Sequence, residues 1–148
     1  MTETRPPLST AGVAEASKGP RPLRIIVSDD DRDTVLTLVA VLRDEGHQVL
    51  GAHNGEQVLA ALRKFDADAL LLDIAMPGLS GWTVAQKIKE RYGERKPLLI
   101  GMSGMFKQGA DKILSNMVGF DHYLLKPYET SDVLKLLAPL QHPGAHQH

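Results

Sequence analysis

The chain has 148 residues, 43% hydrophobic and 24% charged, with a formal net charge of -1. This suits one globular domain with tails and provides no global field toward nucleic acid or an anionic membrane surface. The absence of cysteine excludes disulfides, thiol catalysis and cysteine-based zinc sites, and no apolar run nears the ~20 residues of a membrane span.

Residues 1–22 are rich in Pro, Gly, Ser, Thr and Ala and lack the apolar stretch of a signal peptide; they read as a flexible tail on a cytoplasmic protein. Arg24 to Ser28 is a short apolar run suited to a buried parallel strand. Asp31 to Glu45 has helical spacing at Val35, Leu38, Val39 and Leu42, with acids at its start and Gly46 at its end. His47 to Ala52 is a weaker strand closed by Asn54-Gly55, and Glu56 to Phe65 a short helix. Ala69 to Leu72 is the next buried strand. Trp82 to Tyr92 is a helix, Pro97 to Met102 a strand, Lys107 to Val118 a helix, His122 to Leu125 a strand, and Glu129 to about Leu140 the last helix. Residues 142–148 read as a second tail, leaving 23–141 as the domain. Five βα units predict an α/β three-layer, doubly wound sandwich of flavodoxin-like type, with parallel strand order 2-1-3-4-5.

In such a sheet, ligands bind beyond the carboxyl ends of the strands. Asp29 and Asp30 follow the first strand, Asp73 the third, Ser103 the fourth and Lys126 the fifth, so all five groups are expected along one edge. Carboxylates with a cation and a hydroxyl suit a hard metal ion and a phosphoryl group. No G-x-G-x-x-G follows the first strand, where acidic residues sit instead, which argues against a dinucleotide site, and no P-loop appears.

The segments Arg24-Ile25-Ile26-Val27-Ser28-Asp29-Asp30-Asp31, Leu71-Leu72-Asp73-Ile74-Ala75-Met76-Pro77-Gly78 with Gly81, Met102-Ser103-Gly104, and Tyr123-Leu124-Leu125-Lys126-Pro127 resemble, in order, those of a response-regulator receiver domain. The resemblance runs from about Leu23 to Leu140 and is to stand-alone, chemotaxis-regulator-like members of two-component systems. It implies that Asp73 accepts a phosphoryl group from the phosphohistidine of a sensor histidine kinase or histidine-phosphotransfer protein. It implies Mg²⁺ held by Asp30, Asp73 and the main-chain carbonyl of Ala75, with Asp29 acting mainly through water. Lys126, before a proline bonded in cis, would pair with Asp73 and then hold a phosphoryl oxygen. Ser103 would donate its hydroxyl to the phosphoryl group, and Tyr123 would rotate inward in response. The altered face would be helix four, strand five and helix five.

Ala75 and Met105 are apolar where family members often carry polar residues, which predicts an atypical phosphoaspartate lifetime, and Phe120 is bulkier than the family's usual small residue. Other groups read as ordinary structure: Asp31 as a helix-start acid, His47, His53 and His122 as surface groups, His142, His146 and His148 as tail residues without a second shell, and Trp82 as packing under the loop after Asp73. The chain is expected to be a signalling switch and not an enzyme in the ordinary sense, with an unidentified protein as output partner and no direct contact with nucleic acid or membrane. With one helix and a short tail after Lys126, no output domain is expected. The alternatives are an unphosphorylated pseudo-receiver acting as an interaction module, and a metal-dependent phosphohydrolase, which would want an acid where Ala75 stands.

Overall fold

The computed structural model describes residues 20–76, 78–103 and 119–142. Most of both expected tails, the helix expected over Lys107 to Val118, and Met105 lie outside the described residues. The elements are β1 (Arg24–Ser28), α1 (Arg32–Asp44), β2 (Gln48–Ala52), α2 (Gly55–Lys64), β3 (Ala69–Asp73), α3 (Gly81–Tyr92), a 3-10 turn (Gly93–Arg95), β4 (Leu98–Ser103), β5 (His122–Leu125) and α4 (Thr130–Gln141). The five strands form one parallel sheet in the order β2-β1-β3-β4-β5. This is the predicted doubly wound sandwich. Element ends differ by a residue or two, because β3 runs on through Asp73 and β4 through Ser103.

Side chains alternate across a strand, so each strand feeds two cores. Ile25 and Val27 of β1, Ala69 and Leu71 of β3, and Ile100 and Met102 of β4 pack with Leu38 and Leu42 of α1 and Val133 and Leu137 of α4. Ile26, Leu70, Leu72 and Leu99 turn the other way, onto Val58 and Leu62 of α2 and Val84, Ala85 and Ile88 of α3. Burial on both sides explains the unbroken apolar runs of the central strands, which no half-exposed strand would need.

The helix starts are fixed locally. The Asp31 carboxylate accepts the Asp33 N–H at 3.3 Å and the Thr34 hydroxyl at 2.7 Å, so Asp31 is the cap of α1. Asn54 caps α2 by accepting the Gln57 N–H at 2.8 Å, and Ser80 caps α3 through the Thr83 N–H at 3.2 Å. Phe120 is buried, and a Cβ on Gly101 of β4 would stand 3.0 Å from its ring. The bulky residue before β5 is thus accommodated by a missing side chain on the neighbouring strand.

His47, expected at the surface, is instead buried, 5% exposed. Its Nδ1 accepts the Leu23 N–H at 3.0 Å, tying the start of β1 to the start of β2, and its Nε2 has no hydrogen-bond partner among the described residues. A protonated ring would present an N–H to the Leu23 N–H. Burial holds its pKa below the ordinary 6.5, with the charges of Glu45 and Asp68 acting in the opposite sense.

The unfolded chain therefore takes up a proton on His47 more readily than the folded one. Its contribution to stability is complete above pH 6.5 and is lost as the pH falls below that value. The loss should reach at most about 1.4 kcal/mol per pH unit. In His47→Gln, which stays neutral and can still accept the Leu23 N–H, this dependence should vanish. Urea unfolding at neutral and mildly acidic pH checks it; a wild-type-minus-variant difference that does not change with pH would count against it.

Candidate functional site

Parity along the strands decides which groups meet. Asp73 follows Ala69 and Leu71 in step, and Asp29 follows Ile25 and Val27, so both carboxylates belong to the α1–α4 side. Leu124 packs on that side too, and Lys126 is in step with it. Ser103 is in step with Leu99, and Tyr123 packs on the α2–α3 side, so the hydroxyl and the tyrosine share the opposite parity. Ser103 is buried, its carbonyl accepts the Lys126 N–H at 2.9 Å, and Tyr123 is half-buried.

The Lys126 ammonium donates to Asp29 Oδ2 at 2.9 Å and to Asp73 Oδ2 at 3.2 Å. The sequence-based expectation paired it with Asp73 alone; in the structure it bridges both. The Lys126–Pro127 peptide is cis. Asp29 is fully buried and also accepts the Asp31 N–H at 2.9 Å. Asp73 is 3% exposed and accepts the Ala75 N–H at 3.2 Å. Asp30 is exposed and opens the group to solvent.

Helix α3 presses directly on this loop. The Gly81 N–H donates to the Ile74 carbonyl at 2.9 Å, and a Cβ on Gly81 would fall 2.7 Å from the Asp73 carbonyl oxygen. Only glycine lets the helix start approach the backbone of Asp73 so closely. Trp82, the next residue, is half-buried against the α2–α3 core.

Sequence reasoning missed two residues here. The Ser28 hydroxyl, fully buried, donates to the Leu71 carbonyl at 3.2 Å and so ties β1 to β3 just below the carboxylates. Tyr128 lies close enough to the acids for its hydroxyl to be pushed up to about 12, by burial first and then by the charge of Asp29. A polar residue ending an apolar run was the available signal for Ser28; nothing local marks Tyr128. A cleft of about 430 Å³ opens beside Lys126, between Thr34 and Thr37 of α1 and the segment Pro127–Thr130.

Two carboxylates share one ammonium, and the charge is unequally held. Burial pushes Asp29 up, but the Asp31 N–H and Lys126 outweigh it and leave Asp29 below its ordinary value. Asp73 is pushed up to about 6, by burial and then by the negative charge of Asp29, with Lys126 opposing. Burial lowers Lys126, yet its bonds and charge interactions with Asp29 and Asp73 raise it overall. Keeping Asp73 ionised at neutral pH costs on the order of 3 kcal/mol in this arrangement. The penalty grows between pH 3.8 and about 6 and is in full force above that.

A bound cation would remove this penalty. One carboxylate oxygen from each of Asp29, Asp30 and Asp73 lies within 4.8 Å of the others. Ligand oxygens of an octahedral Mg²⁺ at 2.0–2.1 Å are roughly 3–4 Å apart, so this all-oxygen, net negative set fits a small hard cation with water completing its shell. Asp31, engaged as the α1 cap, is not among these acids.

A family profile described as the response regulator receiver domain matches residues 25–138. The chain is similar to the protein PilH of Pseudomonas aeruginosa, 34% identical over 115 residues that cover 77% of this chain and 93% of that protein. It is 27% identical over 111 residues to the regulatory protein VanR of Enterococcus faecium, covering 75% of this chain. There it spans only 46% of the relative. Among solved structures, a CheY-like response regulator receiver domain protein from Methanospirillum hungatei superposes with a TM-score of 0.76. That likeness covers 86% of this chain and 99% of the other at 22% identity, and it speaks for the fold. Among the described residues, no helix is long and apolar enough to cross a membrane.

Since a divalent cation must displace the proton that Asp73 holds up to about pH 6, Mg²⁺ affinity should be level above that pH. Below it, affinity should fall toward about tenfold per pH unit. Calorimetric titration across this range checks it, and Asp73→Asn should weaken binding and flatten the profile. An affinity independent of pH down to the ordinary carboxylate range would contradict the assignment.

Proposed function

Because the chain belongs to the response regulator receiver domain family, we propose that it is a phosphorylation-dependent signalling switch in which Asp73 is the phosphoacceptor. The observation that carries this reading is the position of Lys126, with its ammonium on both Asp29 and Asp73 at 2.9 and 3.2 Å beside a third carboxylate. A carboxylate is a weak nucleophile and its target is anionic, so positive charge must be gathered before the two can approach.

The donor is the phosphohistidine of a sensor kinase or histidine-phosphotransfer protein. An Asp73 oxygen forms the new P–O bond while the P–N bond to the imidazole breaks, and the imidazole leaves with that electron pair. Asp30, Asp73 and the Ala75 carbonyl would hold Mg²⁺, with Asp29 contributing mainly through water. When bound, the ion supplies charge neutralisation at the phosphoryl oxygens and at Asp73. Lys126 gives up its bond to Asp73 and takes a phosphoryl oxygen, keeping Asp29 as its counter-charge. The Ser103 hydroxyl, on the opposite parity, donates to another phosphoryl oxygen, and Tyr123 on the same side of the sheet follows it. The signal is read from β5 and α4, together with the helix expected over Lys107 to Val118; Leu125 of β5 is already 44% exposed. Asp73 is loaded and unloaded with help from its own neighbours. With an alanine at position 75 instead of an acid, small phosphoesters should not be turned over.

Incubation with acetyl phosphate and Mg²⁺ should add the mass of one phosphoryl group to the wild type and none to Asp73→Asn. Omitting Mg²⁺ should abolish labelling, and Lys126→Ala should slow it by at least an order of magnitude. An unlabelled wild type would instead favour the unphosphorylated interaction module. A second outcome concerns lifetime. Ala75 is exposed and offers attacking water no side-chain hydrogen bond. Ala75→Asn should therefore speed loss of phosphate severalfold, as followed by intact mass after removal of acetyl phosphate. Equal rates would show that position 75 does not govern it.

A further inference from the structure

Away from the acidic edge, a groove of about 390 Å³ runs between α2 and α3 toward their carboxyl-terminal ends. Its lining combines Leu59 and Tyr92 with Arg63, Lys87 and Arg91, and a single acid, Glu90. The three cations are exposed, and none makes an ion pair among the described residues, whereas Glu90 accepts a bond from Gln86 at 3.5 Å. The groove thus gathers three positive charges against one negative charge on a chain whose net charge is -1.

Helix dipoles account for part of this. Arg63 and Arg91 lie in last turns, where a cation stabilises the end of a helix. Lys87 lies further back along α3, and a dipole does not require an apolar floor between the charges. Leu59 and Tyr92 are both half-buried, each against the α2–α3 core, so they are fixed rather than mobile surface.

We propose that this groove is a docking site for an acidic segment of a partner protein, with one aromatic or aliphatic side chain seated between Leu59 and Tyr92 and flanking carboxylates on Arg63, Lys87 and Arg91. The cleft is near the lower end of the roughly 300–1,000 Å³ range of ligand sites, which suits one anchoring side chain rather than a whole helix. A bilayer would need protruding apolar groups, and the large hydrophobics exposed among the described residues, Leu36, Leu50 and Leu125, all lie outside the groove. A nucleic acid would need positive charge spread along its backbone, whereas this groove sets three cations around an apolar floor beside one acid. The groove shares no lining residue with Asp29, Asp30, Asp73 or Lys126, so the contact is separate from phosphotransfer.

Fluorescence anisotropy of the full chain with a labelled acidic peptide carrying a central phenylalanine tests this. Wild type should bind it, more weakly as salt rises. The double substitution Lys87→Glu with Arg91→Glu should lose about tenfold or more in affinity, because attraction becomes like-charge repulsion. Replacing the peptide's phenylalanine by serine should also weaken binding. Thermal unfolding confirms that the variant folds, and Arg63→Ser serves as a milder second variant. No binding to wild type, equal affinity of wild type and both variants, equal affinity for the serine peptide, or stronger binding to phosphatidylserine vesicles or duplex DNA than to the peptide would overturn the proposal.

Discussion

The site is organised by one shared positive charge. Asp29 and Asp73 end neighbouring strands at the same level of the sheet, and both are buried. Two ionised carboxylates so placed would repel each other in a poorly solvated setting. The Lys126 ammonium, delivered from the far edge strand, bonds to both and offsets part of that repulsion. The remainder shows in Asp73, which stays pushed up to about 6 while Asp29 is held low. The folded chain thus carries an unresolved electrostatic demand, which a cation or a proton can satisfy. Such stored demand is common where a protein must respond to a ligand.

The sheet makes this economical. Because β1, β3 and β4 are buried on both faces, their registers are strongly specified, and a slip of one residue would exchange the two cores. The same registers fix Asp29 and Asp73 on one side and Ser103 on the other, while the pairing of β5 with β4 places Tyr123 beside Gly101 and brings Lys126 to the edge. Close approaches complete the frame: Gly81 lets α3 rest on the Asp73 backbone, and Gly101 leaves space for Phe120. The polar cluster is thus positioned by packing that has no chemistry of its own.

Charge is also partitioned over the molecule. The acids gather at the carboxyl ends of the strands, and a basic groove lies toward the carboxyl ends of α2 and α3. In a parallel α/β sandwich, helices run opposite to strands, so the last turns of the helices lie at the end of the sheet remote from the strands' carboxyl ends. Acids before the helices and bases at their ends are each favoured by the same dipoles, and the two surfaces can evolve apart.

The amino-acid sequence by itself determined the strand–helix alternation and the residues that end each strand, because short apolar runs and helical spacing are local properties of the chain, and the handedness of βα crossovers then narrowed the strand order. Asp31 as a cap and the unbroken run Leu70-Leu71-Leu72 were legible for that reason. Tertiary structure alone decided that Lys126 bridges two acids instead of one, that Ser28 braces β1 to β3, that Tyr128 lies within reach of the charge of Asp29, and that His47 is buried under the start of β1. Each of these depends on distance between residues far apart in the chain, and on how much water their partners leave. Periodicity carries information about neither.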